Sequence, residues 1–217
     1  MSEKQISISQ TFDFAWGKLK VKALLFIGLA ILTTILTAIG ESQDLANYTT
    51  NEDFETSKFT ILNFIAITLN IYLGMGIWKI SINHIRGEEV QLSDVFTISF
   101  RQFIHYIVAC VINLILVILG IILFIAPGIH IVCRLILMPG YIVDKNESFD
   151  TALKSSWSAT KGHTIKLFLW MLLACFIAIV GLIALIIGIF VAIPVISLAL
   201  AYIYVQLSDD SIPEIVE

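Results

Sequence analysis

Long apolar runs are the feature that most limits how this chain can fold. The sequence contains six runs of mostly aliphatic and aromatic residues, most of them near the roughly 17–25 residues that a helix needs to cross a bilayer. We place them at residues 23–39, 59–82, 103–126, 129–143, 165–190 and 191–205. Because 58% of the residues are hydrophobic and only 14% are charged, a water-soluble core of this length could not bury the apolar surface. The sequence therefore predicts an all-α integral membrane protein with six transmembrane helices.

Basic residues are concentrated in some of the segments outside these runs. Lysine and arginine residues lie before the first run, at the end of the second run and after it, and after the fourth run. The segment after the first run is acidic. The acidic residues are Glu41, Asp44, Glu52, Asp53 and Glu55. Because cytoplasmic loops are enriched in lysine and arginine, we predict that both termini are cytoplasmic and that the acidic segment lies outside. The polar start of the chain is untypical of a signal peptide, so we expect the first run to remain as an anchor.

Three amphipathic stretches precede the first, third and fifth apolar runs. They read SQTFDFAWGKLK from Ser9, SDVFTISFRQF from Ser93 and DTALKSSWSATKG from Asp150. Each opens with a residue type that is common at helix N-caps, and each then places a large apolar residue and an aromatic residue four positions apart. These pairs are Phe12 with Trp16, Phe96 with Phe100, and Leu153 with Trp157. A spacing of four puts both side chains on one helical face, which is typical of a helix lying in the membrane interface.

These stretches predict a threefold elbow-hairpin repeat, in which each cytoplasmic interfacial elbow helix is followed by two spans. The repeats cover about residues 8–84, 92–144 and 149–207 of a single transmembrane domain, 1–217, and residues 208–217 form a cytoplasmic tail. We expect Pro127 and Pro194 at the turns of the second and third hairpins. The expected interfacial anchors are Trp16, Lys18, Phe100, Arg101, Trp157 and Lys161.

Arg134 is a charged residue inside the fourth apolar run, and none of the six runs contains an aspartate or glutamate. Two interpretations are open. The guanidinium could bond backbone carbonyls freed near Pro127 and Pro139, or snorkel outward. Alternatively, it could recognise a lipid phosphate or another anion, because its planar fork pairs with two phosphate oxygens. His130 lies four residues earlier on the same helical face and joins Arg134 as a candidate for lipid or anion binding.

Asparagines are the other polar residues of note within the runs. They are Asn63, Asn70 and Asn113. Amides in lipid usually form hydrogen bonds between helices, and the alternative is that they line a polar route. Gly74 and Gly76 permit close helix approach within the bundle or between protomers. We expect no metal site and no cofactor, because His130 and its neighbour Cys133 lack the further ligands that a metal ion requires.

The segment from 125 to 168 resembles one bacterial family. The matching features are a Pro-Gly turn, Arg134, Pro139, Asp144 and the sequences ALKSSW and TKG. They are similar to the glycerophosphoryl diester phosphodiesterase membrane domain and its YciC-like relatives. The resemblance implies a multi-pass protein of the bacterial cytoplasmic membrane, in a family whose role is mostly unassigned. Some members carry a fused phosphodiesterase domain, but six spans in 217 residues leave no room for one, so we carry over neither that activity nor any catalytic residue.

The expected function is that of a non-enzymatic membrane protein that binds anionic lipid or supports a partner in the bacterial cell envelope. No nucleophile motif, paired carboxylate or phosphate-binding glycine loop predicts an enzyme. The alternative is a small transporter or channel for an anionic or polar solute, lined by the three asparagines and Arg134. Besides lipids, we expect a homo-oligomer or another membrane protein as partner. We expect no nucleic acid, because the basic residues are spread over three stretches.

Overall fold

The computed structural model describes residues 7–47, 56–123, 125–183 and 187–208, which are helical apart from short connections. The helices are α1 (Ile8–Val21), α2 (Ala23–Asn47), α3 (Thr56–Ile85), α4 (Phe100–Leu123), α5 (Ile125–Leu135), α6 (Met138–Lys145), α7 (Phe149–Ala159), α8 (Thr164–Ile183) and α9 (Ile187–Ser208). A 3-10 helix, Leu92–Phe96, lies between α3 and α4. The all-α prediction is therefore confirmed for these ranges. The acidic residues at 52, 53 and 55 and the predicted tail beyond Ser208 lie outside them.

Five segments are long and apolar enough to cross a membrane. They are Asn63–Ile85, Phe100–Ile122, Ala126–Lys145, Thr164–Ile183 and Gly188–Ser208. In addition, α1 and the first part of α2 pass the same test together, although they meet at an angle of 97°. The described chain thus has five or six potential membrane-spanning segments, and the predicted number of six is reached when the bent pair counts as one crossing.

Helix α9 lies at the centre of the bundle, and α4 lies at its edge. In their apolar segments, 56% of the α9 residues are buried inside the protein, compared with 11% of those in α4. Helix α9 packs against α1, α2, α3 and α8, and the ring centroids of Phe14 and Tyr202 are 4.5 Å apart where α1 contacts it. The outer faces of α4 and α8 carry exposed isoleucine, leucine and phenylalanine side chains. Large apolar surfaces of this kind are stable against hydrocarbon and unfavourable in water.

Glycines permit the closest helix contacts within the chain. A Cβ atom on Gly120 of α4 would lie 2.8 Å from Gly128 Cα of α5, and one on Gly76 of α3 would lie 2.5 Å from Val95 O. Neither distance leaves room for a side chain, so these glycines are needed for packing inside one chain. By contrast, a Cβ atom on Gly74 would have no neighbour within 4 Å among the described residues.

The structure corrects the predicted role of two prolines. Pro194 lies inside α9, because α8 ends at Ile183 and α9 begins at Ile187, and the predicted boundary after residue 190 was wrong. Membrane helices tolerate internal proline, which makes it a weak signal for a turn. The fourth apolar run forms two helices, α5 and α6. Pro139 lies in the first turn of α6. The N–H groups of a first turn have no acceptor within the helix, so proline costs no hydrogen bond there.

The three amphipathic stretches begin two residues earlier than predicted. The observed N-cap positions are Ser7, Gln91 and Ser148 instead of Ser9, Ser93 and Asp150. In the second stretch, Phe96 ends the 3-10 helix and Phe100 begins α4, so the two rings do not share one helical face. A capping box separates them: Ser99 N donates to Gln102 Oε1 at 2.9 Å, and Gln102 N donates to Ser99 Oγ at 3.3 Å. This local motif starts α4 at the position where we expected a continuous helix.

Candidate functional site

Arg134 lies in the last turn of α5, where α7 crosses the end of that helix. Its backbone carbonyl accepts hydrogen bonds from Ser156 Oγ at 2.8 Å and from Thr160 Oγ1 at 3.2 Å. The last carbonyls of a helix have no partner inside the helix, and these two buried hydroxyls supply one. The end of α5 and the buried face of α7 are thereby joined at Arg134.

The guanidinium of Arg134 is buried without an acidic partner in the described part of the chain. The side chain is 6% exposed, and its Cζ lies 4.6 Å from the ring centroid of Trp157, within the range of a cation–π contact. Its Nε atom is buried and has no hydrogen-bond partner among the described residues. An unsatisfied buried donor costs about 1–3 kcal/mol. Backbone carbonyls, one of the two predicted kinds of partner, do not fill this place in the described chain.

A depression of about 650 Å³ adjoins Arg134. Its lining residues are Arg134, Leu153, Lys154, Trp157, Ser158 and Lys161. We call it the cationic depression, because three of these residues carry positive charge and none of them is acidic. Like charges held close together repel each other, so a bound anion would lower the energy of all three. Lys154 and Ser158 were not predicted as site residues, although Lys154 lies three residues before Trp157, a spacing that places both on one side of a helix.

The acid nearest to Arg134 within its own segment is engaged elsewhere. Asp144 accepts hydrogen bonds from Arg86 Nη1 at 2.5 Å and Arg86 Nη2 at 2.7 Å, and Tyr204 Oη donates to its Oδ2 at 2.9 Å. This Arg86–Asp144–Tyr204 cluster joins α6 to α9 and to the chain just after α3. We did not predict the pairing, although opposite charges near the ends of the second and fourth apolar runs were visible in the sequence.

The acidic residue of α7 lies in its first turn, and basic residues follow it along the chain. Ser148 Oγ donates to Asp150 Oδ1 at 2.5 Å, and this hydrogen bond lowers the pKa of the Asp150 carboxyl below its ordinary value. The ionised carboxylate stands in the first turn of α7, where the helix dipole favours negative charge. Lys154 and Lys161 follow further along the chain and line the cationic depression.

The structure brings together only part of the predicted site. His130 is exposed, and its ring lies edge-on to Trp157 with 6.0 Å between centroids, so Arg134, His130, Trp157 and Lys161 form one region. The remaining predicted anchors are Trp16 and Lys18 on α1, and Phe100 and Arg101 at the start of α4. None of these four lines the cationic depression, and Trp16, Phe100 and Arg101 are exposed.

The predicted polar route is not assembled from its four residues. Asn63 and Asn70 line a separate depression of about 510 Å³ between α2, α3 and α4, to which neither Asn113 nor Arg134 contributes. Asn70 Nδ2 donates to Thr37 Oγ1 at 2.7 Å and to Thr33 O at 3.3 Å, which ties α3 to α2. Asn113 Oδ1 is buried on α4 with no hydrogen-bond partner among the described residues.

The fold and this region define a class of protein rather than a family. The described chain is all-helical, has five or six segments apolar enough to cross a membrane, and carries a buried arginine beside two lysines. Within the described ranges, no group of three or more histidine, cysteine, aspartate or glutamate residues could hold a metal ion. Comparisons with protein-family models, with curated proteins and with solved structures find no match for this chain.

Proposed function

We propose that this chain is a non-enzymatic multi-pass membrane protein that binds the anionic headgroup of a phospholipid in the cationic depression. The observation that carries the proposal is Arg134, a buried arginine with no acidic partner in the described chain and with two lysines lining the same depression. A buried charge is costly unless it is paired, so a phosphate is the partner that best completes the site.

Each side chain has a distinct role in this proposal. The guanidinium donates two parallel hydrogen bonds to phosphate oxygens, while Trp157 covers one face of its plane. Lys154 and Lys161 contribute positive charge without a fixed geometry, because their ammonium groups sit on flexible chains. His130, edge-on to Trp157, limits the rotation of that ring. Hydrogen bonds of this charged kind contribute about 1.5–3 kcal/mol each.

The orientation and the interfacial helices belong to the same proposal. We propose the cytoplasmic membrane of a bacterium, both termini inside, and α1 and α7 as elbow helices at the inner surface. Trp16 and Lys20 on the exposed side of α1 support this, because aromatic and basic residues are favoured at the level of anionic headgroups. A depression of about 840 Å³ at the α1–α2 bend, lined by Lys20 and Lys22 together with leucines, supports it as well. The resemblance of residues 125–168 to the phosphodiesterase membrane domain family stays a prediction.

The test is anionic-lipid binding by an arginine variant with a matched control. Native mass spectrometry of the purified full chain in detergent gives its affinity for dioleoyl phosphatidylglycerol. We expect Arg134→Leu to weaken binding about tenfold to a hundredfold, through the loss of one or two charged hydrogen bonds. Arg101→Leu makes the same change in net charge at an exposed residue outside the depression, and it should change the affinity less than twofold. Equal affinities for the two variants would contradict the proposal.

A second candidate function is a small transporter or channel for a polar solute. The depression lined by Asn63 and Asn70 supports it, whereas the absence of any charged residue among its lining residues disfavours a charged solute. Cys110 lines the same depression and provides a natural reporter. In a Cys133→Ala, Cys175→Ala background, rapid modification of Cys110 by a membrane-impermeant thiol reagent would support an aqueous route. Protection of Cys110 from both sides of the membrane would exclude it.

A further inference from the structure

An apolar groove lies between α5 and α8, next to the cationic depression. It has a volume of about 280 Å³. Its lining residues are Ala126, Ile129, His130, Cys133, Thr164, Ile165 and Phe168. Almost all of this lining is hydrocarbon, aromatic ring or sulfur. The groove can therefore hold an apolar chain and offers little to a polar solute.

The groove and the cationic depression have no lining residue in common, but they are adjacent along α5 and through one ring contact. His130 lines the groove, and its ring is nearly perpendicular to that of Trp157, which lines the depression, with 6.0 Å between the ring centroids. Cys133 lines the groove and directly precedes Arg134, which lines the depression. From Cys133 back to Ala126 the groove follows α5 for about 10 Å at 1.5 Å of rise per residue. The groove therefore runs along α5 away from the end of the helix that carries Arg134.

We propose that this groove holds one acyl chain of the phospholipid whose phosphate is bound by Arg134. The inference rests on the proposed function and adds to it the place where one acyl chain of the phospholipid lies. A molecule that joins a negative charge to a hydrocarbon chain fits the cationic depression and the groove at once. Free phosphate or glycerol phosphate fits only the cationic depression. Along about 10 Å of α5, several methylene groups of that acyl chain pack against the groove wall, and the chain takes a fixed direction.

Two tryptophan substitutions test the groove without changing the charge. Ile165 on the groove wall and Ile183 near the other end of α8 are both 76% exposed, so both positions accept a larger side chain. The affinities of wild type, Ile165→Trp and Ile183→Trp are measured for dioleoyl phosphatidylglycerol and for glycerol 3-phosphate. Ile165→Trp should weaken binding of the diacyl lipid about tenfold, because the larger side chain takes up space in the groove. Ile183→Trp should change it less than twofold.

The measurement with glycerol 3-phosphate distinguishes binding of a lipid headgroup from binding of a free phosphate ester. Its affinity should be far lower than that of the diacyl lipid and should be the same in both tryptophan variants, because it does not enter the groove. If Ile165→Trp binds the diacyl lipid as tightly as Ile183→Trp does, the groove proposal is overturned while the headgroup site stands. If glycerol 3-phosphate binds wild type as tightly as the diacyl lipid, the groove proposal is also overturned. If Arg134→Leu binds both probes as wild type does, the proposed function fails and takes this inference with it.

Discussion

Arg134 and Arg86 differ in what their guanidinium groups contact. Arg86 donates two hydrogen bonds to Asp144, whereas Arg134 faces the ring of Trp157 and leaves Nε without a partner in the described chain. The paired arginine contributes to the fold, because removing its partner would leave a charge in a partly buried place. The unpaired arginine is held in place by its neighbours and is available to a ligand.

At the residue scale, we predict that Asp144→Asn destabilises the protein by about 2 kcal/mol, since it breaks charged hydrogen bonds and leaves Arg86 without its counter-ion. Denaturant unfolding of the purified protein in detergent, followed by tryptophan fluorescence, measures this. The control is Tyr204→Phe, which removes one hydrogen bond to the same carboxylate and should cost about 1 kcal/mol. A loss in Asp144→Asn no larger than that in Tyr204→Phe would show that the ion pair contributes little.

At the element scale, α1 and α7 resemble each other in burial. Ala15 and Ser156 are both completely buried, and the tryptophans that follow them, Trp16 and Trp157, are 46% and 41% exposed. Both helices therefore turn a small residue inward and leave a tryptophan near the surface. The 3-10 helix between α3 and α4 does not repeat this pattern, because Ser99 there is exposed and caps α4. The threefold repeat stays a prediction.

The docking of α7 on α5 depends on two hydroxyls. We predict that the double variant Ser156→Ala, Thr160→Val loses about 1–3 kcal/mol, because Arg134 O then stays buried with neither hydroxyl donor. Hydrogen exchange should become faster in α7 before it does in α9, since the lost bonds join α7 to α5 and do not involve α9.

Ser158→Ala is the control for this prediction. Ser158 is an exposed serine on the same helix, and its substitution should leave both stability and exchange nearly unchanged. Uniformly faster exchange across α7 and α9 in the double variant would contradict a local docking role.

At the scale of the whole molecule, the partly buried ends of several helices meet at one end of the bundle. His84 Nε2 lies 3.0 Å from Lys18 O, Arg86 contacts Asp144, and Lys145 Nζ donates to Ser208 O at 3.1 Å. These contacts join α1, α3, α6 and α9 at the end of the bundle that carries Lys18, Lys20 and Lys145. A bilayer around the exposed faces of α4 and α8 would place this end at one surface.

We predict that this end faces the cytosol. A Lys161→Cys variant in a background without the native cysteines should react with a membrane-impermeant maleimide in inside-out vesicles and stay unlabelled in intact cells. Asn51→Cys, in the segment predicted to lie outside, should show the opposite pattern. Labelling of Lys161→Cys in intact cells would reverse the proposed orientation and move the lipid site to the outer surface.

The part of the site predicted from the sequence is the part that local spacing determines. Arg134 and His130 are four residues apart on α5, so this pair could be found from helical periodicity, whereas Lys161 lies in the turn after α7. That this pair meets Trp157 and Lys161 depends on the break between α5 and α6 and on the angle at which α7 returns. Pro139 marks the start of α6, but the angle at which α7 returns has no local signal, and Pro194 shows that a proline can mislead within an apolar helix.

Hydropathy alone determined that this chain is helical and suited to a membrane, because in hydrocarbon every backbone polar group must be bonded within its own segment. Periodicity alone determined which residues share a helical face. The tertiary structure decided which arginine has an acidic partner. Asp144 of α6 pairs with Arg86, just after α3, whereas Arg134 lines a depression together with Lys154 and Lys161. The physical reason is that charge pairing depends on distances between helices, and residues far apart in the sequence set those distances by their packing.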